Sequence, residues 1–445
     1  MRYAYFILLL IKLLSQVLSS ILLENEYEKK IIFFPIILNF NAFYTNIFFG
    51  EPPQKLFLSL DQELQVTWAD TIHYKQENSL KSKEINKTTI SFRKIELFGK
   101  TISDTVILNN NNNSNNISNI SLDDFWFVVV GNSRGYDSRV GGIGLSFKFA
   151  DEKYSLLHQL KTNNIINQLN YGYIPPSLIN NNTEKEGLIF MGGVPKKYIL
   201  NKYRYNCKVT EKYNFWSCEL PYIIFGDITH NKNSNNTLFY ENKNKNYAYF
   251  NGAERRILAP EDFMSFLKHN YFRENIINET CKYYLYGMNH VFECICNIKD
   301  SFPDINFIFD NYLYKFTSEE LFQNYGGGNC HFLIQENHLR KNNFIFGTTF
   351  LKKFISNFDY ETKYITFYSD KKIKEIDLDK FFNKGKKSIY VIILIFLVIC
   401  VIGILLCARR IRKYKNYKKD LLLLHNKDKK KIKKMNKDEE GYELK

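Results

Sequence analysis

From residue 24 to residue 368 the apolar positions do not settle into any long helical period. They fall into short runs, many of them alternating apolar with polar, set between clusters of turn-forming residues: 31–38, 44–49, 56–60, 88–95, 104–108, 125–130, 187–191, 344–346 and 364–368. Period-two alternation in short segments is the pattern of half-buried strands. It predicts a mostly β region of two sheets or two lobes. Two stretches, 156–169 and 260–269, carry helical spacing instead. Residues 109–119 are almost all Asn and Ser, a composition expected of a disordered loop insertion.

The two ends of the chain have another character. Met1-Arg2, an apolar run over 3–14 and small residues up to Ser19-Ser20 form a signal-peptide pattern over residues 1–22. Residues 388–408 contain no charge, and 21 residues of helix reach across a hydrocarbon core of about 30 Å. Arg409, Arg410, Arg412 and Lys413 follow at once, which places the C-terminus in the cytosol. The expected organisation is therefore a single-pass type I protein of the secretory pathway or cell surface. A linker over 373–387 precedes the span, and a basic cytoplasmic tail over 409–445 follows it. The net charge of +15 then loses its nucleic-acid meaning, because residues 409–445 hold 15 Lys and Arg against 6 Asp and Glu. No nucleic-acid partner is expected.

An ectodomain in an oxidising compartment gives its cysteines a use. Cys207, Cys218, Cys281, Cys294, Cys296 and Cys330 are even in number and fit three disulfides, whereas Cys400 and Cys407 lie in the span. Sequence proximity suggests Cys207 with Cys218 and Cys281 with Cys294. Glycosylation sequons occur at Asn86, Asn112, Asn116, Asn119, Asn181, Asn235 and Asn278. The eight His show no ligand spacing with Cys or acids, and no glycine-rich phosphate loop is present, so neither a metal nor another cofactor is expected.

Residues 43–68 read FYTNIFFGEPPQKLFLSLDQELQVTW. The segment resembles the start of pepsin-like aspartic proteases: a strand, Gly-Thr-Pro-Pro-Gln, a second strand, Asp-Thr-Gly-Ser and a Trp. The match puts Asp61 on the first catalytic aspartate. Further blocks follow in the family's order. Residues 89–106 resemble the flap hairpin, with Phe92 at the flap tyrosine. Residues 141–145 resemble Asp-Gly-Ile-x-Gly-Leu, and 187–194 the end of the first lobe. AYFNGAERRILAP at 248–260 resembles the second Asp-Thr-Gly block, and FIFGTTFLKKFISNF at 344–358 the closing block. The resemblance implies a bilobal fold with lobes over 30–200 and 201–372, a peptide-holding cleft between them, and a Cys296–Cys330 disulfide. Membrane-anchored members with a C-terminal span are the nearest in organisation.

The same resemblance implies that the chemistry is damaged. Two neighbouring carboxyls share a proton, so that one serves as base and the other polarises the scissile carbonyl. Here Asn251 stands at the second aspartate, and an amide can neither take a proton from water nor share one with Asp61. The loops around both positions are substituted as well. Gln62, Glu63 and Leu64 follow Asp61, and Gly252, Ala253 and Glu254 follow Asn251. Glu63 and Ala253 replace loop glycines, Leu64 and Glu254 replace hydroxyls, and Phe92 lacks the flap hydroxyl. The expectation is a peptide- or protein-binding pseudoprotease. The alternative is an atypical aspartic endopeptidase using Asp61 with Glu63 or Glu254. Deamidation at Asn251-Gly252, which Gly leaves unhindered, would create an aspartate at the second position.

Overall fold

A computed structural model describes residues 30–376 and 394–419, with residue 429. Short stretches at 40–41, 93–94, 112–116, 135–140, 149–150, 180–185, 227–237, 242–246, 287–288, 339–342 and 417 are outside the description. The expected signal peptide and most of the linker and tail fall outside it too. Residues up to Glu375 make one compact unit, and the residues from Ile376 onward make another.

In the first unit almost every run read as a strand is one. The largest sheet has thirteen strands. Its middle joins strands far apart in sequence: Ile32–Asn39 pairs with Glu186–Met191, which pairs with Asn170–Ile174, which pairs with Ile355–Asp359. Three smaller sheets of five, four and four strands complete the β framework among the described residues. Phenylalanines, tyrosines and a tryptophan are the largest side chains of the core. Trp216, Tyr171, Tyr173, Phe43, Phe190 and Phe225 are all fully buried.

One arrangement occurs twice. Gln54–Asp61 lies parallel to Gly141–Gly144, which lies antiparallel to Trp68–Asp70, which lies parallel to Ile117–Arg134. Tyr247–Phe250 lies parallel to Phe344–Phe346, which lies antiparallel to Ile257–Ala259, which lies parallel to Ile334–Glu336. Each set feeds a tight turn, one starting at Asp61 and the other at Asn251.

Four expectations change. The 88–95 run is two strands, because Lys83–Phe92 folds back on Ile95–Asn111 with Phe92 opposite Ile95. The Asn-rich tract is not simply a loop. The strands Ile95–Asn111 and Ile117–Arg134 carry their ladder into it, pairing Asn109 with Asn119 and Asn111 with Ile117. The helix expected over 156–169 stops at Thr162, where Asn163 caps it and Asn164 takes a left-handed φ of 57°. The helix expected over 260–269 starts at Glu261 and continues, through a π-helical turn at Lys268–Phe272, to Ile277.

Three disulfides join Cys207 to Cys218, Cys281 to Cys294 and Cys296 to Cys330. Cys281 and Cys294 face each other across the ladder of Cys281–Tyr286 and Asn289–Ile295. Of the sequon asparagines, Asn86, Asn119 and Asn278 are exposed, while Asn112, Asn116, Asn181 and Asn235 lie outside the described residues. In the second unit one helix, Leu394–Asn416, is long and apolar enough to cross a membrane. It runs past Ala408 through Arg409, Arg410, Arg412 and Lys413, so the helix does not end where the expected span ends; residues 388–393 are outside the description.

Candidate active site

The twin motifs bring Asp61 and Asn251 together. The amide of Asn251 donates from Nδ2 to Asp61 Oδ1 at 3.1 Å, and both residues are 0% exposed. The two turns share their internal hydrogen bonds. The N–H two residues on donates to the side-chain oxygen in each: Glu63 to Asp61 Oδ1 at 2.9 Å, Ala253 to Asn251 Oδ1 at 3.0 Å. The N–H three residues on donates to the backbone carbonyl in each: Leu64 to Asp61 at 3.4 Å, Glu254 to Asn251 at 3.2 Å. The next link is also shared. Ser146 N donates to the Leu64 carbonyl at 3.0 Å, and Thr348 N donates to the Glu254 carbonyl at 2.8 Å. Asn251 is thus the geometric counterpart of Asp61.

The orientation of the Asn251 amide follows from its donors. The backbone N–H groups of Gln62, at 3.3 Å, and of Ala253 can only donate, so they face the oxygen Oδ1. Nδ2 is left for Asp61. Asp61 therefore receives a fixed N–H where a second carboxyl would offer a mobile proton.

The sequence places Gln62 among the loop substitutions that follow Asp61. In the structure its side chain crosses between the turns. Oε1 accepts from Gly252 N at 2.6 Å, and Nε2 donates to the Tyr173 hydroxyl at 2.6 Å. The strand Ala42–Phe49 also reaches the second turn, where Phe43 N donates to the Gly252 carbonyl at 2.8 Å. Gln62 is fully buried, so losing its amide strands a backbone N–H. Gln62→Ala should lower stability by about 1–3 kcal/mol, read as a lower midpoint in denaturant unfolding. An unchanged midpoint would remove Gln62 from this bridging role.

The floor of the site is aromatic. Leu145 N donates to the Asp61 carbonyl at 2.9 Å. The Leu145 carbonyl accepts from Trp216 Nε1 at 2.8 Å, Tyr171 OH at 3.2 Å and Tyr360 OH at 3.3 Å. Burial pushes the phenols of Tyr171, Tyr173 and Tyr360 well above their usual range, so they stay neutral. Glycine is required beneath the first turn, because a Cβ on Gly144 would sit 2.6 Å from the backbone N and O of Val66.

The remaining expected residues are placed as follows. Glu63 is buried and Glu254 half-buried. The Glu254 carboxylate accepts from its neighbours' backbone, Arg255 N at 2.9 Å and Arg256 N at 3.4 Å. Leu64 packs with Val66, Trp68, Val128 and Val130. Phe92 ends its strand, and its side chain lies outside the described residues. A cavity of about 410 Å³ adjoins the second turn, lined by Leu38, Arg255, Gln323, Thr348 and Thr349 among others. Neither Asp61 nor Asn251 lines it.

Residues 42–369 match the family model for eukaryotic aspartyl proteases. The chain belongs to that family. No curated protein matches it. Family membership fits the twin-motif architecture around Asp61 and Asn251 and leaves the chemistry of this aspartyl protease relative to be read from its residues.

Proposed function

We propose that this aspartyl protease relative is a membrane-anchored pseudoprotease that binds a peptide or protein without cutting it. The occupant would lie extended in a cleft between lobes over 30–200 and 201–372. Residues 1–22 would serve as signal peptide and residues 388–408 as the anchor. The ectodomain would be lumenal or extracellular and carry glycans, with residues 409–445 in the cytosol.

One observation carries the loss of catalysis: the Asn251 amide donates to Asp61 from the position that mirrors it. General-base attack needs Asp61 to accept a proton from water, and polarisation of the carbonyl needs a second acid to supply one. Asn251 does neither. The complete burial of both side chains works in the same direction, since a water held between them would have to be admitted first.

The test is a cleavage screen on the full chain in detergent, using a diverse peptide library from acidic to neutral pH with products read by mass spectrometry. A pepstatin-like inhibitor and Asp61→Asn serve as controls. No product is expected, while part of the library is retained on immobilised protein. Cleavage abolished by both controls would mean that Asp61 works with another group and the chain is an active endopeptidase.

A further inference from the structure

Away from the paired turns, Asn289–Ile295, an inner strand of a four-stranded sheet, meets the end of Ile334–Glu336. Three side chains converge there. The donor atoms of His290, Glu336 and His338 all lie within 4.8 Å of one another. His290 Nδ1 is 2.9 Å from His338 Nε2 and 3.1 Å from Glu336 Oε2. His338 Nδ1 is 3.1 Å from Glu336 Oε1.

His290 Nδ1 carries at most one proton and faces both a ring nitrogen and a carboxylate oxygen. A single cation placed among the three would serve all of them. A tetrahedral ion with bonds of about 2.0–2.2 Å sets its ligand atoms roughly 3.3 Å apart. The 2.9 and 3.1 Å separations from His290 Nδ1 need to open by only a few tenths of an ångström, and all three residues offer ligand atoms within 4.8 Å of one another.

The surroundings suit such a site. The Glu336 side chain is 9% exposed and forms the base, whereas those of His290 and His338, at 36% and 33%, stand at the mouth and leave a fourth position to solvent. Tyr283 orients two of the three ligands. Its hydroxyl donates to Glu336 Oε2 at 2.6 Å, and its ring stacks on His290 with centroids 5.2 Å apart. Outer contacts of this kind fix ligand geometry in metal sites.

We propose that His290 Nδ1, His338 Nε2 and Glu336 Oε2 bind a divalent transition-metal ion of the zinc class. Two imidazoles select such an ion over magnesium or calcium, which prefer all-oxygen shells. The ion would tie the Asn289–Ile295 strand to the segment that follows Ile334–Glu336. Such a site would depart from the expectation that no metal has a place in the chain. Glu336 and His338 are close in sequence, but His290 joins them only through the sheet.

The experiment uses chelator-stripped full chain in detergent, titrated with Zn²⁺ by calorimetry and with Co²⁺ by visible absorption. One ion per chain is expected, with the strong bands of four-coordinate cobalt and no response to Mg²⁺. His338→Ala, which changes a half-exposed side chain, should weaken Zn²⁺ more than tenfold, as should His290→Ala. Tyr283→Phe should weaken it about 10–100-fold. Absence of stoichiometric uptake by folded wild-type protein overturns the proposal. Equal uptake by the His290→Ala/His338→Ala double variant overturns it as well.

Discussion

Asn251→Asp should be less stable than the wild type at neutral pH and should recover as the solution is acidified. The substitution sets a second carboxyl against Asp61 where an amide now donates at 3.1 Å in a fully buried site. Two carboxylates so placed cannot both ionise, so the pair keeps a proton well above the usual carboxylate range. The sign follows from linkage. A carboxyl whose folded pKa is raised favours the folded state below the unfolded value, near 3.9, and loses that advantage as pH rises. Each pH unit above that value costs about 1.4 kcal/mol while the proton is held. The variant should therefore lose stability relative to wild type from about pH 4 upward until the pair gives up its shared proton. Denaturant unfolding of both proteins at several pH values measures it. Parallel stability profiles would show that Asp61 and residue 251 are not coupled.

The same geometry bears on spontaneous deamidation. The succinimide route needs Gly252 N to attack the Asn251 side chain. That N–H is held by Gln62 Oε1 at 2.6 Å, and the Asn251 oxygen is held by two backbone donors. Peptide mapping of aged protein should find Asn251 intact, and an aspartate there would show that the turn opens.

Trp216→Ala should cost about 3–5 kcal/mol, the range for a large buried aromatic. Trp216 is fully buried, and its ring lies 5.0 Å from Phe147, 5.4 Å from Phe358 and 4.7 Å from Tyr360 between centroids. It also links the two turns. Its indole N–H supports the Leu145 carbonyl, and its own carbonyl accepts from Phe250 N at 3.1 Å, one residue before Asn251. Trp216→Phe keeps most of the bulk, and Tyr171 still donates to Leu145, so about 1 kcal/mol is expected there. A Phe variant as damaged as the Ala variant would shift the credit from packing to the hydrogen bond.

The strands were legible because their cause is local: a strand with one buried face alternates wherever it sits. The 88–95 run shows the limit. A tight hairpin keeps its apolar pattern through the reversal, so the fold-back shows only in the register. Helix 156–169 was overextended because Ile165, Ile166 and Leu169 keep the apolar spacing after Asn163 and Asn164 have ended the backbone helix. The pairing of Asp61 with Asn251, far apart along the chain, was legible only through the resemblance of their sequence blocks. The reach of Gln62, the donors gathered on Leu145, and the trio of His290, Glu336 and His338 were hidden for a common reason. Each depends on which strands are neighbours, and period-two alternation does not encode neighbours.

The long sheet also sets a timetable for biogenesis. Tyr203–Lys208 pairs only with Tyr364–Ser369 among the described strands, and Asn170–Ile174 waits for Ile355–Asp359 on one side. At translation rates of about 5–20 residues per second, the partner of Tyr203–Lys208 emerges roughly 10–30 s later. During that interval the nascent chain shows open β edges to everything in its compartment. High contact order slows closure further. Chaperone engagement in this window, rather than any property of the finished molecule, would then govern how much of the protein matures.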